Sequence, residues 1–330
     1  MSQTSPVLPW KTKIAVSVIG AVNDTACRSN GTVNRRLLHF LDFKVPPNEK
    51  PLHGVKTADI TVDPTRNLWF RLFIPTNLPT DVSLPVLVFF HGGGFALLSP
   101  DSTAYDAVCR RFARKVSVIV VSVNYRLSPE NRFPCPYEDG FDVLKFLDNR
   151  DFEGFPLNAD LSKCFLAGDS AGGNLAHHVA IRAGESQFGE VNVIGLIAIQ
   201  PFFGGEERLD SEIRLHNMPL VSLKRTDWLW KAFLPEGSDR DHHAVNVFGP
   251  KSADISGLKF PATVVFVGGF DPLLDWQRRY YEGLKRSGKE AYLVEYPTAI
   301  HAFYIFPELP QASLLFREVK DFIQKLSKPK

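Results

Sequence analysis

Phe165-Leu166-Ala167-Gly168-Asp169-Ser170-Ala171-Gly172-Gly173-Asn174 carries an apolar run into a Gly-x-Ser-x-Gly unit, and a helix-forming run, Leu175-Ala176-His177-His178-Val179-Ala180, follows at once. That order reads as strand, sharp turn, helix. A serine at such a turn is held in strained backbone that lifts its hydroxyl above the strand ends. A Cβ at Gly168 or Gly172 would collide with the strand and helix that approach each other there. Taken alone, the motif is equally an ordinary glycine-rich turn with an exposed serine. Its surroundings decide which.

Upstream, Leu84–Phe90 is a continuous apolar run, the mark of a strand buried on both faces, and it ends in His91-Gly92-Gly93-Gly94-Phe95. A helix from Ala104 to Lys115, a buried strand from Val116 to Val123, the loop Tyr125–Glu130 and a helix from Pro136 to Leu147 come next. Alternating residues at Ala58–Val62 and Leu68–Pro75 predict an early antiparallel pair, after an irregular connection over residues 30–55. Downstream, Val191–Gln200 is a buried strand, and Ala262–Val267, a helix from Asp275, a strand over Glu290–Tyr296 and a last helix from Pro310 continue the rhythm. Strands alternating with helices predict an α/β fold, a mostly parallel central sheet with helices on both faces. The rhythm breaks between Pro201 and Pro261, where an aromatic helix, Thr226–Phe233, lies in a segment too long for an ordinary loop. The expected organisation is an N-terminal cap helix and connection (1–55), core (56–200), cap insertion over the carboxyl end of the sheet (201–260) and core (261–330).

The composition of the 330 residues, 44% apolar and 22% charged, is that of a globular chain with a sizeable core. A net charge of +2 gives no electrostatic case for nucleic acid. The basic cluster Arg110-Arg111 with Arg114-Lys115 falls where a helix ends and offsets its dipole. Cys27, Cys109, Cys135 and Cys164 form no disulfide or zinc pattern, which favours a reducing setting, cytoplasmic or also nuclear. Near the N-terminus, Trp10, Ile14, Val18, Ala21 and Val22 recur at helical spacing and predict an amphipathic helix packed on the domain rather than a secretion signal. No run approaches the ~18 apolar residues of a membrane span.

Serine needs a base to take its proton and a carboxylate to hold that base. In a parallel sheet these groups belong at strand carboxyl ends. Ser170, Asp271 after Phe266-Val267-Gly268-Gly269, and His301 after the last strand meet this test in the order expected of α/β hydrolases. Asp275, which sits where the next helix starts, is expected to cap it. His177 and His178, on the helix leaving Ser170, cannot swing back over its hydroxyl, and His242-His243 lies in the insertion. No histidine pair has metal-ligand spacing with carboxylate support, so no metal and no cofactor are expected. A cradle for a developing oxyanion is available from Gly92, Gly93 and Gly94, with Gly93 and Gly94 as donors and Gly92 shaping the turn. The N–H of Ala171 adds to it. Among the aromatic residues, Phe95, Phe202, Trp228 and Phe303 are candidates to line a largely apolar pocket. Trp228 and Trp230 are two apart and cannot face the same way on a helix.

Together, His91-Gly92-Gly93-Gly94-Phe95, Tyr125-Arg126-Leu127-Ser128-Pro129-Glu130 and Gly168–Asn174 resemble the plant carboxylesterase family, a branch of the hormone-sensitive-lipase-like α/β hydrolases. The resemblance covers roughly residues 55–325 and implies a helical cap built from N-terminal helices and the insertion. Ser128 stands where the family more often has alanine, and Thr298-Ala299-Ile300-His301 lacks a glycine often found there. What the resemblance implies is a serine carboxylesterase acting on small, largely apolar esters, with no obligate protein partner. The alternative it offers is a triad-retaining dehydratase, cyclase or acyl-transferring enzyme of specialised metabolism. A more remote one is a gibberellin-type receptor, whose kind keeps the serine but replaces the histidine by an apolar residue; His301 stands at that place here.

Overall fold

A computed structural model describes residues 5–79, 81–150 and 152–328. The chain opens with helices α1 (Trp10–Ala26) and α2 (Arg35–Leu41). The first forms where the helical spacing predicts it but does not bury the expected face: Trp10, Ile14 and Val18 are 67%, 56% and 56% exposed, whereas Thr12, Val16 and Gly20 are buried. Thr12 Oγ1 donates to Glu308, and Gly20 lies so close to Pro219 O that a Cβ would come within 2.9 Å of it. Val16, packed into the apolar core, with Thr12 and Gly20 beside it, makes this docking face. The second helix interrupts what reads in sequence as an irregular connection, and Asn34 caps it by accepting from Leu37 N.

Strands β1 (Val55–Asp63) and β2 (Leu68–Pro75) form the antiparallel pair, and β2 continues antiparallel onto β4 (Ile119–Asn124). Between them in sequence come β3 (Leu84–Phe90) and α3 (Thr103–Phe112). Then follow α4 (Cys135–Asn149), β5 (Ala159–Asp169), α5 (Ala171–Gly184) and β6 (Val193–Ile199). After the insertion, which holds α6 (Asp210–Arg214) and α7 (Leu223–Phe233), come β7 (Ala262–Phe270), α8 (Leu274–Arg286), β8 (Ala291–Ile300) and α9 (Pro310–Ser327). The sheet order is β1-β2-β4-β3-β5-β6-β7-β8, parallel from β4 to β8. This is an α/β-hydrolase fold.

The apolar runs explain the layering. Val86, Leu87, Val88, Phe89 and Phe90 of β3 are all fully buried, because helices cover both faces of the central strands. The chain leaves β3 toward β4 on one side and returns to β5 on the other, so the crevice between the ends of β3 and β5 is a topological switch point. The triple-glycine turn and Ser170 emerge on its two sides.

Candidate active site

Ser170 has φ 52° and ψ −120°, a conformation that costs on the order of 1–3 kcal/mol and persists only where its surroundings enforce it. The neighbours do so. A Cβ on Gly168 would lie 2.2 Å from Gly172 O, and one on Gly172 would lie 1.9 Å from Phe90 O. Ser170 N donates to Ile199 O at 3.0 Å, and Ser170 O accepts from Phe202 N at 2.8 Å. The turn is thereby stitched to the end of β6.

Asp271 and His301 come together as a pair, with His301 Nδ1 2.7 Å from Asp271 Oδ2. Strand β8 runs four residues beyond its expected end, to Ile300, which pairs with Phe270 and delivers His301 directly. Two residues that sequence reasoning missed hold the pair. Gln200 Nε2 donates to Asp271 Oδ2 at 2.9 Å and to Ile300 O at 3.1 Å, while its Oε1 accepts from Ala302 N at 2.8 Å. Gln277 Nε2 donates to the same Asp271 oxygen at 2.9 Å, and Leu273 N donates to Oδ1 at 3.0 Å. The signal for Gln200 was an amide closing an otherwise apolar strand. Burial disfavours charge on His301, but the charge and hydrogen bond of Asp271, with a further push from Asp169, hold its pKa above the ordinary imidazole value. Among the described residues no hydrogen bond joins Ser170 Oγ to His301, a contact that often tightens only when substrate is present.

The amides of the glycine turn divide by what they bind. Gly92 N donates to Asp169 Oδ1 at 3.0 Å and to the Tyr105 hydroxyl at 2.7 Å, so this amide is already engaged within the protein. Among the described residues, the N–H groups of Gly93, Gly94 and Ala171 donate to no protein acceptor. The Tyr125–Glu130 loop braces the turn from behind: the Tyr125 hydroxyl donates to His91 O at 2.7 Å, its ring stacks on His91 at 4.3 Å, and Ser128 N donates to Phe95 O at 2.8 Å. The Ser128 hydroxyl, where alanine is commoner, is satisfied by Asn131 O at 3.1 Å. Burial pushes the His91 pKa down to about 4, so this imidazole is neutral and structural.

The aromatic candidates are each engaged with a neighbouring side chain or carbonyl. Phe95 is fully buried and stacks on Phe233 at 3.9 Å, Phe202 stacks on Trp230 at 3.9 Å, and Phe303 packs edge-on against Tyr296. Trp228 donates its Nε1–H to Arg28 O at 2.8 Å and clamps the N-terminal segment. The Phe95–Phe233 stack joins the insertion helix to the glycine turn, whereas Phe303 packs within the core. Leu229, between the two tryptophans, faces the turn instead, its Cδ1 2.4 Å from where a Gly94 Cβ would stand. Asp275 does not cap its own helix; it accepts from Ser211 N at 2.8 Å and caps α6. His177 pairs with the Tyr280 hydroxyl at 3.1 Å, His178 stacks on Tyr137, and His242 and His243 stack against each other beside Phe133. Among the described residues no cluster of His, Cys, Asp or Glu could hold a metal ion, and no helix is long and apolar enough to cross a membrane. A groove of about 390 Å³ beside α2 contains none of Ser170, Asp271 and His301. Its arginines and lysine are already paired, Arg35 with Glu130, Lys44 with Asp42, and Arg66 and Arg126 with Asp139.

Residues 87–305 match a family model described as the alpha/beta hydrolase fold. A gibberellin receptor of Arabidopsis thaliana is 41% identical over 333 residues, covering 97% of this chain and 96% of that protein. Carboxylesterase 20 of the same plant is 36% identical over 305 residues, covering 89% and 93%. Among solved structures, an ester hydrolase from the Lake Arreo metagenome superposes with a TM-score of 0.76 at 26% identity, covering 97% of this chain and 99% of that one. The chain thus belongs to the hormone-sensitive-lipase-like α/β hydrolases, among plant carboxylesterases and gibberellin receptors.

Proposed function

We propose that this chain is a serine carboxylesterase. Ser170 attacks the carbonyl carbon of a small, largely apolar ester while His301 takes the hydroxyl proton and Asp271 orients the imidazolium. The tetrahedral oxyanion is held by the amides of Gly93, Gly94 and Ala171. His301 then protonates the leaving alkoxide, and water, deprotonated by the same imidazole, releases the acid from the acyl-enzyme. One observation carries this reading: a buried, hydrogen-bonded His301–Asp271 pair stands beside a strained serine, with three backbone donors left unused.

The extensive similarity to proteins named gibberellin receptors, which extends through the N-terminal helices, favours a second reading, a receptor for a small carboxylic acid. In it the free amides bind a ligand carboxylate and no bond is broken. The two readings separate on p-nitrophenyl esters of graded acyl length. The wild-type protein should turn them over, and Ser170→Ala should lower kcat by at least about 10³-fold without unfolding the chain. Wild-type protein that binds a gibberellin saturably and hydrolyses none of the esters would replace the first reading by the second.

A further inference from the structure

The residue before the nucleophile holds the other half of the site. Asp169, at the end of β5, is 3% exposed. Its Oδ1 accepts from Gly92 N at 3.0 Å and from the Tyr105 hydroxyl at 3.1 Å, and its Oδ2 accepts from the same hydroxyl at 2.9 Å. A Cβ on Gly92 would stand 2.6 Å from this carboxylate. We infer that Asp169 is a positioning residue: its carboxylate clamps Gly92 and so fixes the outward direction of the Gly93 and Gly94 amides relative to Ser170. Because Asp169 and Ser170 are adjacent on one strained turn, the clamp sets nucleophile and oxyanion cradle in a single frame. The inference deepens the esterase reading and rests on it for its kinetic consequences.

The groups that face this carboxylate are Tyr105 from α3, His301 and Tyr304 from the loop after β8, and, less closely, Cys109 and Tyr125. Tyr304 presents a buried hydroxyl to it without closing a hydrogen bond of sound geometry. Burial raises the Asp169 pKa to about 6, against the hydrogen bond of Tyr105 and the charge of His301. When ionised, Asp169 in turn raises the pKa of His301. Removing its charge while keeping an acceptor oxygen therefore shifts the His301 titration to lower pH.

The test compares Asp169→Ala, Asp169→Asn and Tyr105→Phe with wild type by two readouts. The first is amide hydrogen exchange of a peptide spanning residues 89–98. The second is kcat, KM and the pH profile on a short p-nitrophenyl ester. D169A should exchange faster in that peptide and lose kcat by about 30-fold with KM nearly constant, part of the 10²–10³ that losing one oxyanion donor costs. D169N should recover most of the rate and protection while its acid limb moves down in pH, and Y105F should fall between them. If D169A does not fold, the D169N limb shift and the Y105F exchange decide. Wild-type exchange in D169A, or an acid limb unmoved in D169N, overturns the inference. Absence of ester turnover by wild type refutes the esterase reading alone, since loop exchange still tests the clamp.

Discussion

His301 stands between two carboxylates that act on it differently. Asp271 touches it and accepts from four donors, so that carboxylate is fixed in direction; Asp169 acts through space and is itself close to titrating. Because burial opposes the imidazolium while Asp271 and Asp169 favour it, the net upward shift fixes a sign for catalysis. The imidazole serves as base only when neutral, so kcat/KM should fall as pH drops through a value above the ordinary 6.5 of histidine. For the fold the sign is reversed. A raised native pKa adds stability below the unfolded value, and this contribution is lost as pH rises through the native value. A pH–rate profile on a neutral ester checks the first statement; an inflection at or below 6.5 refutes it.

Helix α1 shows how an element can be legible and its packing not. The period of Trp10, Ile14 and Val18 marks the helix, but the sequence-based inference that this stripe is buried fails: the face that docks carries Val16 into the apolar core, with Thr12 bonded to Glu308 and Gly20 close against Pro219 O on either side of it. A threonine with a partner and a glycine that permits close approach fit there; a tryptophan does not. Val16→Asp buries an unpaired charge at a site 1% exposed and should cost roughly 3 kcal/mol or more, while Val18→Asp should be within about 0.5 kcal/mol of wild type. Thermal unfolding, with limited proteolysis of residues 5–34, distinguishes the two, and equal effects would refute the assigned face. The same physics separates what else was readable. Ser170, Asp271 and His301 were placed by strand ends, which apolar runs reveal. The partners of the aromatic candidates were not legible, because a ring's bulk suits a cavity wall and a packed joint equally, and the Phe95–Phe233 and Phe202–Trp230 stacks depend on contacts distant in sequence. Gln200 escaped because its three partners, Asp271, Ile300 and Ala302, are 71 to 102 residues away.

Across the whole molecule, three residues, Arg225, Trp228 and Arg35, tie the N-terminal segment, the insertion and the core into one frame. Arg225 of α7 donates to both Asp24 oxygens at 2.7 and 2.8 Å, to Gly20 O at 3.2 Å and to Pro219 O. Trp228 reaches Arg28 O, and Arg35 binds Glu130 through two nitrogens as well as the carbonyls of Ala96 and Ser128. Asp24 is half-exposed, so the ion pair itself contributes only about 0.2–1 kcal/mol and is screened by salt. Its importance is geometric, because α1 is held to the helix that places Leu229 over Gly94. None of these residues hydrogen-bonds to the His301–Asp271 pair, and under the esterase reading the frame is therefore expected to bear on substrate binding more than on bond breaking. Arg225→Ala should therefore raise KM for an ester with a bulky alcohol by about threefold or more while kcat stays within about twofold, the mark of lost uniform binding. Raising the salt concentration should move wild type part of the way toward the variant. A fall in kcat at constant KM would instead mean that the N-terminal segment reaches the chemistry itself, through the Arg35 contacts to the glycine turn.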